Sequence, residues 1–157
     1  MPKKTKRGYN TQTNAAKIKS RGNIFKSGLE LTMFELLQEN NIPFSYEQRK
    51  FVIDEGFIYS GESYEKFMNG KGDFKDRGDK KFRDSIYTPD FTNPYSENLK
   101  WVIETKGRAM PDFSRTWRLF KKVLTNTEQE VILFVPRNKK DCLKVIEILI
   151  TKGYGQK

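Results

Sequence analysis

Two carboxylates and a lysine are spaced so that one β-hairpin would bring them together. Residues 87–91 (Tyr-Thr-Pro-Asp-Phe) carry Asp90, and residues 101–107 (Trp-Val-Ile-Glu-Thr-Lys-Gly) carry Glu104 and Lys106. The second segment is rich in aromatic and β-branched residues and ends at a glycine, which predicts a strand. Because strand side chains alternate between faces, Glu104 and Lys106 are predicted to share one face.

The turn between the two segments predicts the register of this hairpin. Residues 92–98 (Thr-Asn-Pro-Tyr-Ser-Glu-Asn) are typical turn residues, and a hairpin symmetric about Glu97 places Asp90 opposite Glu104. Two like charges that face each other across strands are destabilising unless they are compensated. A divalent cation with oxygen ligands would compensate them. In the alternative interpretation, Glu104 and Lys106 are exposed residues of a half-solvated strand and Asp90 only begins a turn.

Composition narrows the chemistry that is available. The chain has 157 residues and no histidine, which excludes an imidazole base, a Ser-His-Asp triad and a Cys-His zinc site. Hydrolysis would then depend on carboxylates, lysine, tyrosine and hard metal ions. The net charge of +10 predicts a polyanionic partner, and nucleic acid is favoured over a membrane.

Two further features indicate where the protein works. No apolar run approaches membrane-spanning length, and no hydrophobic signal core follows the basic N-terminus. The single cysteine, Cys142, excludes a disulfide framework and permits a reducing compartment. We therefore expect an intracellular, cytoplasmic protein that is not secreted.

The first 22 residues are predicted to form a disordered basic arm. They contain seven bases and no acid, with too few large apolar groups to bury. Phosphate contact is the favoured role, and a solubilising tail is the alternative. The candidate DNA-binding bases of this arm are Lys3, Lys4, Lys6, Arg7, Lys17, Lys19 and Arg21.

Residues 23–157 are predicted to form a single α/β domain. Ser27 followed by Glu30 is a capping box, which predicts a helix from about residue 28 to 40. Local sequence favours a structural role for the Glu30 carboxylate, as acceptor of the Ser27 backbone N–H. Residues 44–53 are predicted to form one strand, and residues 54–84 a long polar insertion, either a mobile functional flap or a segment with weak local structure.

The C-terminal half predicts two more helices around a buried strand. A helix to about residue 126 places Phe113, Trp117, Phe120 and Leu124 toward the core. On its remaining surface, Arg115 and Arg118 are either solvated or contact phosphate. Residues 130–135 predict a short buried strand. Asn138 is predicted to cap a last helix that Gly153 ends, with inward-facing Cys142, Val145, Ile146, Leu149 and Ile150.

Several of these motifs, in this order, resemble the bacteriophage endonuclease I family of Holliday-junction resolvases. They are Phe-Lys-Ser-Gly-Leu-Glu at 25–30, Tyr-Thr-Pro-Asp-Phe at 87–91 and Val-Ile-Glu-Thr-Lys-Gly at 102–107. The likeness spans roughly residues 24 to 136. The family belongs to the restriction-endonuclease-like PD-(D/E)xK nuclease superfamily, so the resemblance implies a mixed central β-sheet flanked by helices.

The resemblance also implies roles for individual residues. Asp90 and Glu104 would be metal ligands with the Thr105 carbonyl, Glu30 a further acid at the metal, and Lys106 the lysine beside the attacked phosphate. Mg²⁺ would be the cofactor, with Mn²⁺ able to substitute. Family members are domain-swapped homodimers, so Glu30 of one subunit would complete the site that holds Asp90 of the other.

The expected activity is magnesium-dependent endonucleolytic cleavage of branched double-stranded DNA, resolving four-way junctions during recombination by paired phosphodiester hydrolysis. Two alternatives stay open. One is a restriction- or repair-type nuclease that acts on linear or flapped duplex DNA. The other is a basic DNA-binding module whose acids are only structural.

Overall fold

The computed structural model describes residues 18–20, 23–108, 110–127 and 129–155. Its helices are α1 (Gly28–Glu39), α2 (Pro111–Asn126) and α3 (Lys139–Thr151). Its strands, in chain order, are β1 (Ile18–Ser20), β2 (Asn23–Phe25), β3 (Ser45–Tyr46), β4 (Phe51–Asp54), β5 (Phe57–Tyr59), β6 (Tyr64–Glu65), β7 (Lys75–Asp76), β8 (Lys80–Phe82), β9 (Ser85–Tyr87), β10 (Phe91–Thr92), β11 (Trp101–Ile103) and β12 (Ile132–Phe134).

A four-stranded mixed sheet lies at the centre, in the order β12-β11-β10-β3. Strands β10 and β11 are antiparallel and form the predicted hairpin. Strands β11 and β12 are parallel, with α2 between them in the chain. Parallel neighbours need such a crossover, because a short turn cannot return the chain to the same end of the sheet. The prediction of a mixed α/β domain is confirmed.

Helices cover both faces of this sheet. On one face Phe91, Trp101 and Ile103 pack with residues of α1 and α3. On the other face Val102 packs with Phe120 and Leu124 of α2. The alternation along β11 therefore divides the core into two layers, and the side chains that follow Ile103 emerge where the strand ends.

Local signals set the helix ends. The Ser27 hydroxyl accepts a hydrogen bond from Glu30 N at 3.1 Å, and Asn138 Oδ1 accepts one from Asp141 N at 2.9 Å, so both predicted N-caps are confirmed. Gly153 has φ 84°, the left-handed conformation that ends a helix without a Cβ clash. Cys142 is fully buried in the core, as predicted.

The prediction of one strand over residues 44–53 is wrong. Residues 45–46 join the central sheet as β3, whereas 51–54 pair with β9 in a separate sheet. The chain turns between them at Glu47, which has φ 48°. Arg49 then ties the connecting loop to the turn of the central hairpin through the carbonyls of Pro94 and Glu97.

Residues 54–84 form regular structure rather than a segment with weak local structure. Strands β4, β5 and β6 pair in turn with β9, β8 and β7, all antiparallel. Residues 51–87 therefore form one long two-stranded hairpin, which we call the ribbon. Its base packs on α2 through Phe51 and Phe120, whose ring centroids are 4.9 Å apart. Most of its side chains beyond the base are exposed.

Part of the predicted disordered arm is also structured. Residues 18–20 form β1, which pairs antiparallel with β2. Disorder is therefore the wrong expectation for these three residues, because backbone pairing does not require the large apolar side chains that the arm lacks. Residues 1–17 and 21–22 lie outside the described residues.

None of the helices in the described part of the chain has the length and apolar character needed to cross a lipid bilayer.

Candidate active site

The central hairpin has the register that the sequence predicts. Phe91 lies opposite Ile103, and Thr92 opposite Val102. Continuing this register by one residue places Asp90 opposite Glu104, at the end of the sheet where β10 begins and β11 ends. Both side chains are buried, with 6% of Asp90 and 4% of Glu104 exposed. The alternative in which Glu104 belongs to a half-solvated strand surface is therefore wrong.

Glu104 is held through both carboxylate oxygens. Lys106 Nζ lies 2.6 Å from Oε1, which confirms that these two residues share a face. The Tyr87 hydroxyl donates a hydrogen bond to Oε2 at 2.6 Å. Burial and the Glu104 charge together raise the pKa of Tyr87, so this hydroxyl keeps its proton and remains a hydrogen-bond donor to the carboxylate.

Among the described residues, Asp90 accepts hydrogen bonds through one carboxylate oxygen, Oδ2. Thr105 donates to Asp90 Oδ2 twice, from its backbone N–H and from its hydroxyl, each at 2.7 Å. These two bonds join the start of β10 to the residue after Glu104. The Thr105 carbonyl, which the resemblance implies as a metal ligand, takes part in neither bond.

Glu30 comes from α1 and lies close to Asp90 in the same chain. Its Oε2 accepts hydrogen bonds from Lys26 N at 2.8 Å and from the Tyr46 hydroxyl at 3.1 Å. The capping box is thus modified, because the carboxylate reaches the N–H of Lys26 instead of that of Ser27. Only 5% of its surface is exposed, so Glu30 is a buried carboxylate at the start of α1.

The charges of these acids act on one another. Burial, and then the negative charges of Glu104 and Glu30, raise the pKa of Asp90 to about 7, although the Thr105 bonds oppose the rise. The pKa of a carboxyl group rises toward neutral pH in this way where like charges meet in a poorly solvated environment. Such perturbed acids are frequent at functional sites.

A second lysine borders the cluster. Lys26 Nζ pairs with Glu47 Oε1, and the backbone N–H of Glu47 donates to the Asp90 carbonyl at 2.9 Å. Burial lowers the pKa of Lys26, but the hydrogen bond and the charge of Glu47 outweigh it, and Glu30 and Asp90 add to the net rise. Two lysines therefore flank the acids, Lys26 on one side and Lys106 on the other.

No protein-family model matches this chain. Comparison with curated proteins and with solved structures also finds no significant match. The site must therefore be judged on its own geometry and chemistry.

The carboxylate oxygens of these residues are chemically suited to a hard cation, although they do not surround a common point. Among the described residues, no group of three or more His, Cys, Asp or Glu is arranged to hold a metal ion. In the same part of the chain, no hydrogen-bond donor reaches Asp90 Oδ1 or Glu30 Oε1. These oxygens are the type of ligand that Mg²⁺ prefers, whereas Glu104 would have to exchange its contact with Lys106 before it could bind a metal.

Of the predicted DNA-binding residues, Arg115 and Arg118 are the two whose side chains are described. Arg115 and Arg118 are exposed on α2, whose residue Phe113 lies under Lys106 with the ring centroid 5.0 Å from Nζ. Lys19 lies in β1, where only the backbone is described. Lys3, Lys4, Lys6, Arg7, Lys17 and Arg21 lie outside the described residues.

Four residues of the cluster were not predicted from the sequence, namely Lys26, Tyr46, Glu47 and Tyr87. The pairing of β3 with β10 puts Tyr46 opposite Phe91, and by extension Glu47 next to Asp90. The sequence would predict this pairing only if it also showed that the strand ends at residue 46. Tyr87 lies within the motif that contains Asp90, but its reach to Glu104 depends on the path of the ribbon.

Proposed function

We propose that this chain is a magnesium-dependent endodeoxyribonuclease that cleaves branched DNA and resolves four-way junctions. One observation carries the proposal: Glu30, Asp90, Glu104 and Lys106 come together at one end of the central sheet. The motif order that resembles endonuclease I supports the assignment to the restriction-endonuclease-like superfamily. The mixed sheet with helices on both faces is compatible with such a core.

In this mechanism Asp90 and Glu104 would hold Mg²⁺, with Glu30 as a third acid. The bound metal would lower the pKa of a water molecule and offset the charge that develops on the phosphate. Lys106, which contacts Glu104 in the metal-free chain, would place its ammonium group against the attacked phosphate and offset the charge that develops there. Tyr87 keeps Glu104 oriented throughout, because it holds the other oxygen.

Paired cleavage of a junction needs two sites on one substrate, and we therefore propose a homodimer. The resemblance implies a domain-swapped dimer whose sites mix residues of two chains. In the single chain, however, Glu30 already lies close enough to Asp90 for its charge to act on it. We therefore favour a site completed within each subunit.

The decisive experiment is cleavage of a synthetic four-way junction with and without Mg²⁺. Asp90→Asn and Glu104→Gln should each lower the cleavage rate by about a hundredfold or more, the loss typical of removing one transition-state stabilising group. Glu147→Gln is the matched control, since Glu147 is an exposed acid of α3 that forms an ion pair with Lys144. Wild-type rates in either site variant would refute the assignment.

The same assay separates the substrate classes. A four-way junction, a flap and a linear duplex of matched sequence are compared at equal concentration. Preferential cutting of the junction supports a resolvase, whereas faster cutting of the flap or the linear duplex favours a repair- or restriction-type nuclease.

A second candidate, a non-catalytic DNA-binding module, is favoured by one specific observation. Both oxygens of Glu104 are already engaged by Lys106 and Tyr87, so its charge is compensated without a metal. Such a module would bind DNA in EDTA and leave supercoiled plasmid uncut in Mg²⁺ and in Mn²⁺.

A further inference from the structure

The ribbon concentrates the exposed apolar surface of the molecule. Among the described residues, ten of the thirteen exposed large hydrophobic side chains lie in it, and Met68 at its tip is 91% exposed. Such a concentration marks a binding surface more often than a solvated one. The ten are Val52, Phe57, Ile58, Tyr59, Tyr64, Phe67, Met68, Phe74, Phe82 and Ile86.

The two strands of the ribbon approach each other very closely at one point. A Cβ at Gly78 would lie 1.9 Å from the Gly61 carbonyl oxygen, so this close approach requires glycine at position 78. Asp76 Oδ1 accepts hydrogen bonds from Ser63 N and Gly78 N, both at 2.8 Å. These contacts fix the backbone path of the ribbon from which the exposed side chains project.

Contacts at the tip have the same effect. The Arg77 guanidinium lies 3.9 Å from the centroid of the Phe67 ring and donates a hydrogen bond to the Glu65 carbonyl. Arg77 therefore holds the Phe67 ring in place at the tip, so less ordering of this side chain remains for binding.

Charge is divided between the two strands of the ribbon. The outgoing residues 54–65 contain four acids and no base, whereas the returning residues 75–83 contain five bases and two acids. One of those two acids, Asp76, is already taken up by backbone N–H groups. The returning strand is therefore a basic edge, beside the apolar rings of Phe57 and Phe82 that stack at 4.8 Å.

This division selects one kind of partner. A second copy that joined this edge by twofold symmetry would place bases against bases, which is unfavourable. A polyanion laid along the returning strand instead meets five bases and two acids, and one of those acids, Asp76, is already hydrogen-bonded to backbone N–H groups, so the net interaction is attractive. A two-stranded ribbon also has the width that the major groove of DNA admits.

We propose that the ribbon is a DNA-binding arm, with its basic returning strand along the phosphates and its apolar tip inserted at the branch point. The substrate class rests on the proposed function. The ribbon ends at Tyr87, whose hydroxyl contacts Glu104, so DNA held along it is delivered to the candidate active site. Apolar side chains that enter disrupted base steps are a known means of gripping distorted DNA.

The test of the basic strand is the salt dependence of junction binding in EDTA, where no cleavage occurs. The slope of log K against log[salt] is negative, and the variant K80Q/K81Q/R83Q should reduce its magnitude by about 2 to 3, since each lost phosphate contact removes about 0.9. The matched control is K139Q/K140Q/K144Q on α3, where all three lysines are exposed. The control should leave the slope close to that of the wild type.

The test of the tip uses Met68→Ser, which removes an exposed side chain and so leaves the fold intact. It should reduce the preference for a junction over a matched linear duplex by about fivefold, somewhat less than complete burial of a methionine side chain would contribute. Duplex affinity itself should stay unchanged.

The outcomes separate the two proposals. An unchanged slope in the ribbon variant, or a wild-type protein that does not bind DNA, overturns the arm. So does a Met68→Ser protein that loses a dimer in sedimentation while its DNA binding is unaltered, because the ribbon would then be a self-association surface. If the ribbon variants behave as expected but no nucleic acid is cut in Mg²⁺, the nuclease assignment fails and the arm stands.

Discussion

At the residue scale, the two central acids of the candidate site differ in how many of their carboxylate oxygens have hydrogen-bond or ion-pair partners. Glu104 is clamped by Lys106 on one oxygen and by Tyr87 on the other, while Asp90 keeps one oxygen without a described donor. A metal bound to Glu104, as the proposed function requires, would therefore replace the contact with Lys106, whose side chain is 25% exposed, rather than the contact with the buried Tyr87. This asymmetry gives Tyr87 a positioning role that its removal should reveal.

Tyr87→Phe should impair the use of the metal more than the fold. The ring packs against Phe120 with centroids 4.8 Å apart, and phenylalanine keeps that packing. Losing the hydrogen bond to a charged group frees one Glu104 oxygen and costs about 1.5 to 3 kcal/mol of positioning. We expect a right-shifted Mg²⁺ dependence of cleavage and a smaller metal-induced rise in melting temperature. A Mg²⁺ titration identical to that of the wild type would contradict the role.

The raised pKa of Asp90 predicts how the metal-free protein responds to pH. The folded protein binds the Asp90 proton up to a pKa of about 7, whereas the unfolded chain releases it near 3.9. This proton therefore stabilises the fold below about pH 4, and the contribution is lost as the pH rises through 7. The loss is on the order of 2 to 4 kcal/mol, at about 1.4 kcal/mol for each pKa unit.

Urea unfolding of the wild type and Asp90→Asn in EDTA, at pH 4.5 and 8, measures this term. Asparagine keeps an acceptor for Thr105 but does not titrate, so the stability difference between the two proteins should shift in favour of the variant at pH 8. A difference that is the same at both pH values would contradict a raised pKa of Asp90.

At the element scale, the caps of α1 and α3 differ in what they position. Ser27 begins the helix that carries Glu30, whereas Asn138 begins α3, which supplies core residues. Ser27→Ala and Asn138→Ala should each reduce the free energy of unfolding by about 1 kcal/mol. Only Ser27→Ala should also slow junction cleavage. Equal effects of both variants on cleavage, measured at saturating Mg²⁺, would show that Glu30 is not positioned for the reaction.

At the element scale, the hairpin register and the helix caps could be predicted from the sequence. The register of the β10–β11 hairpin was predictable because the spacing of Asp90 and Glu104 around Glu97 fixes which residues face each other. The caps at Ser27 and Asn138 were predictable because each acts within one turn of its helix. These signals are local, and they account for most of the helix ends and for the central hairpin.

The remainder depends on contacts between distant segments. The strand breaks at Glu47 because this residue adopts a left-handed backbone conformation, which a glutamate in the sequence does not predict. The ribbon needs Gly61 to meet Gly78, seventeen residues later in the chain, and polar composition alone predicts weak structure there. The hydrogen bond from Tyr87 to Glu104 follows only once the path of the ribbon is known.

At the scale of the whole molecule, the open question is whether each site is completed within one chain. The single chain brings Glu30 to the hydrogen-bond donors Lys26 and Tyr46, next to Asp90. The resemblance to endonuclease I implies instead that Glu30 crosses to the partner subunit. These arrangements differ in one measurable property, namely whether two inactive variants can repair each other.

Glu30→Gln and Asp90→Asn proteins are unfolded together, refolded as a mixture and assayed on a four-way junction with Mg²⁺. If sites are completed within a chain, every site in the mixture lacks one acid, and cleavage should not exceed that of the separate variants. If Glu30 crosses between subunits, mixed dimers contain one intact site, and strand nicking should return. Wild type refolded with Asp90→Asn controls for recovery of active protein. Restored nicking in the variant mixture would therefore replace the in-chain site with an exchanged one.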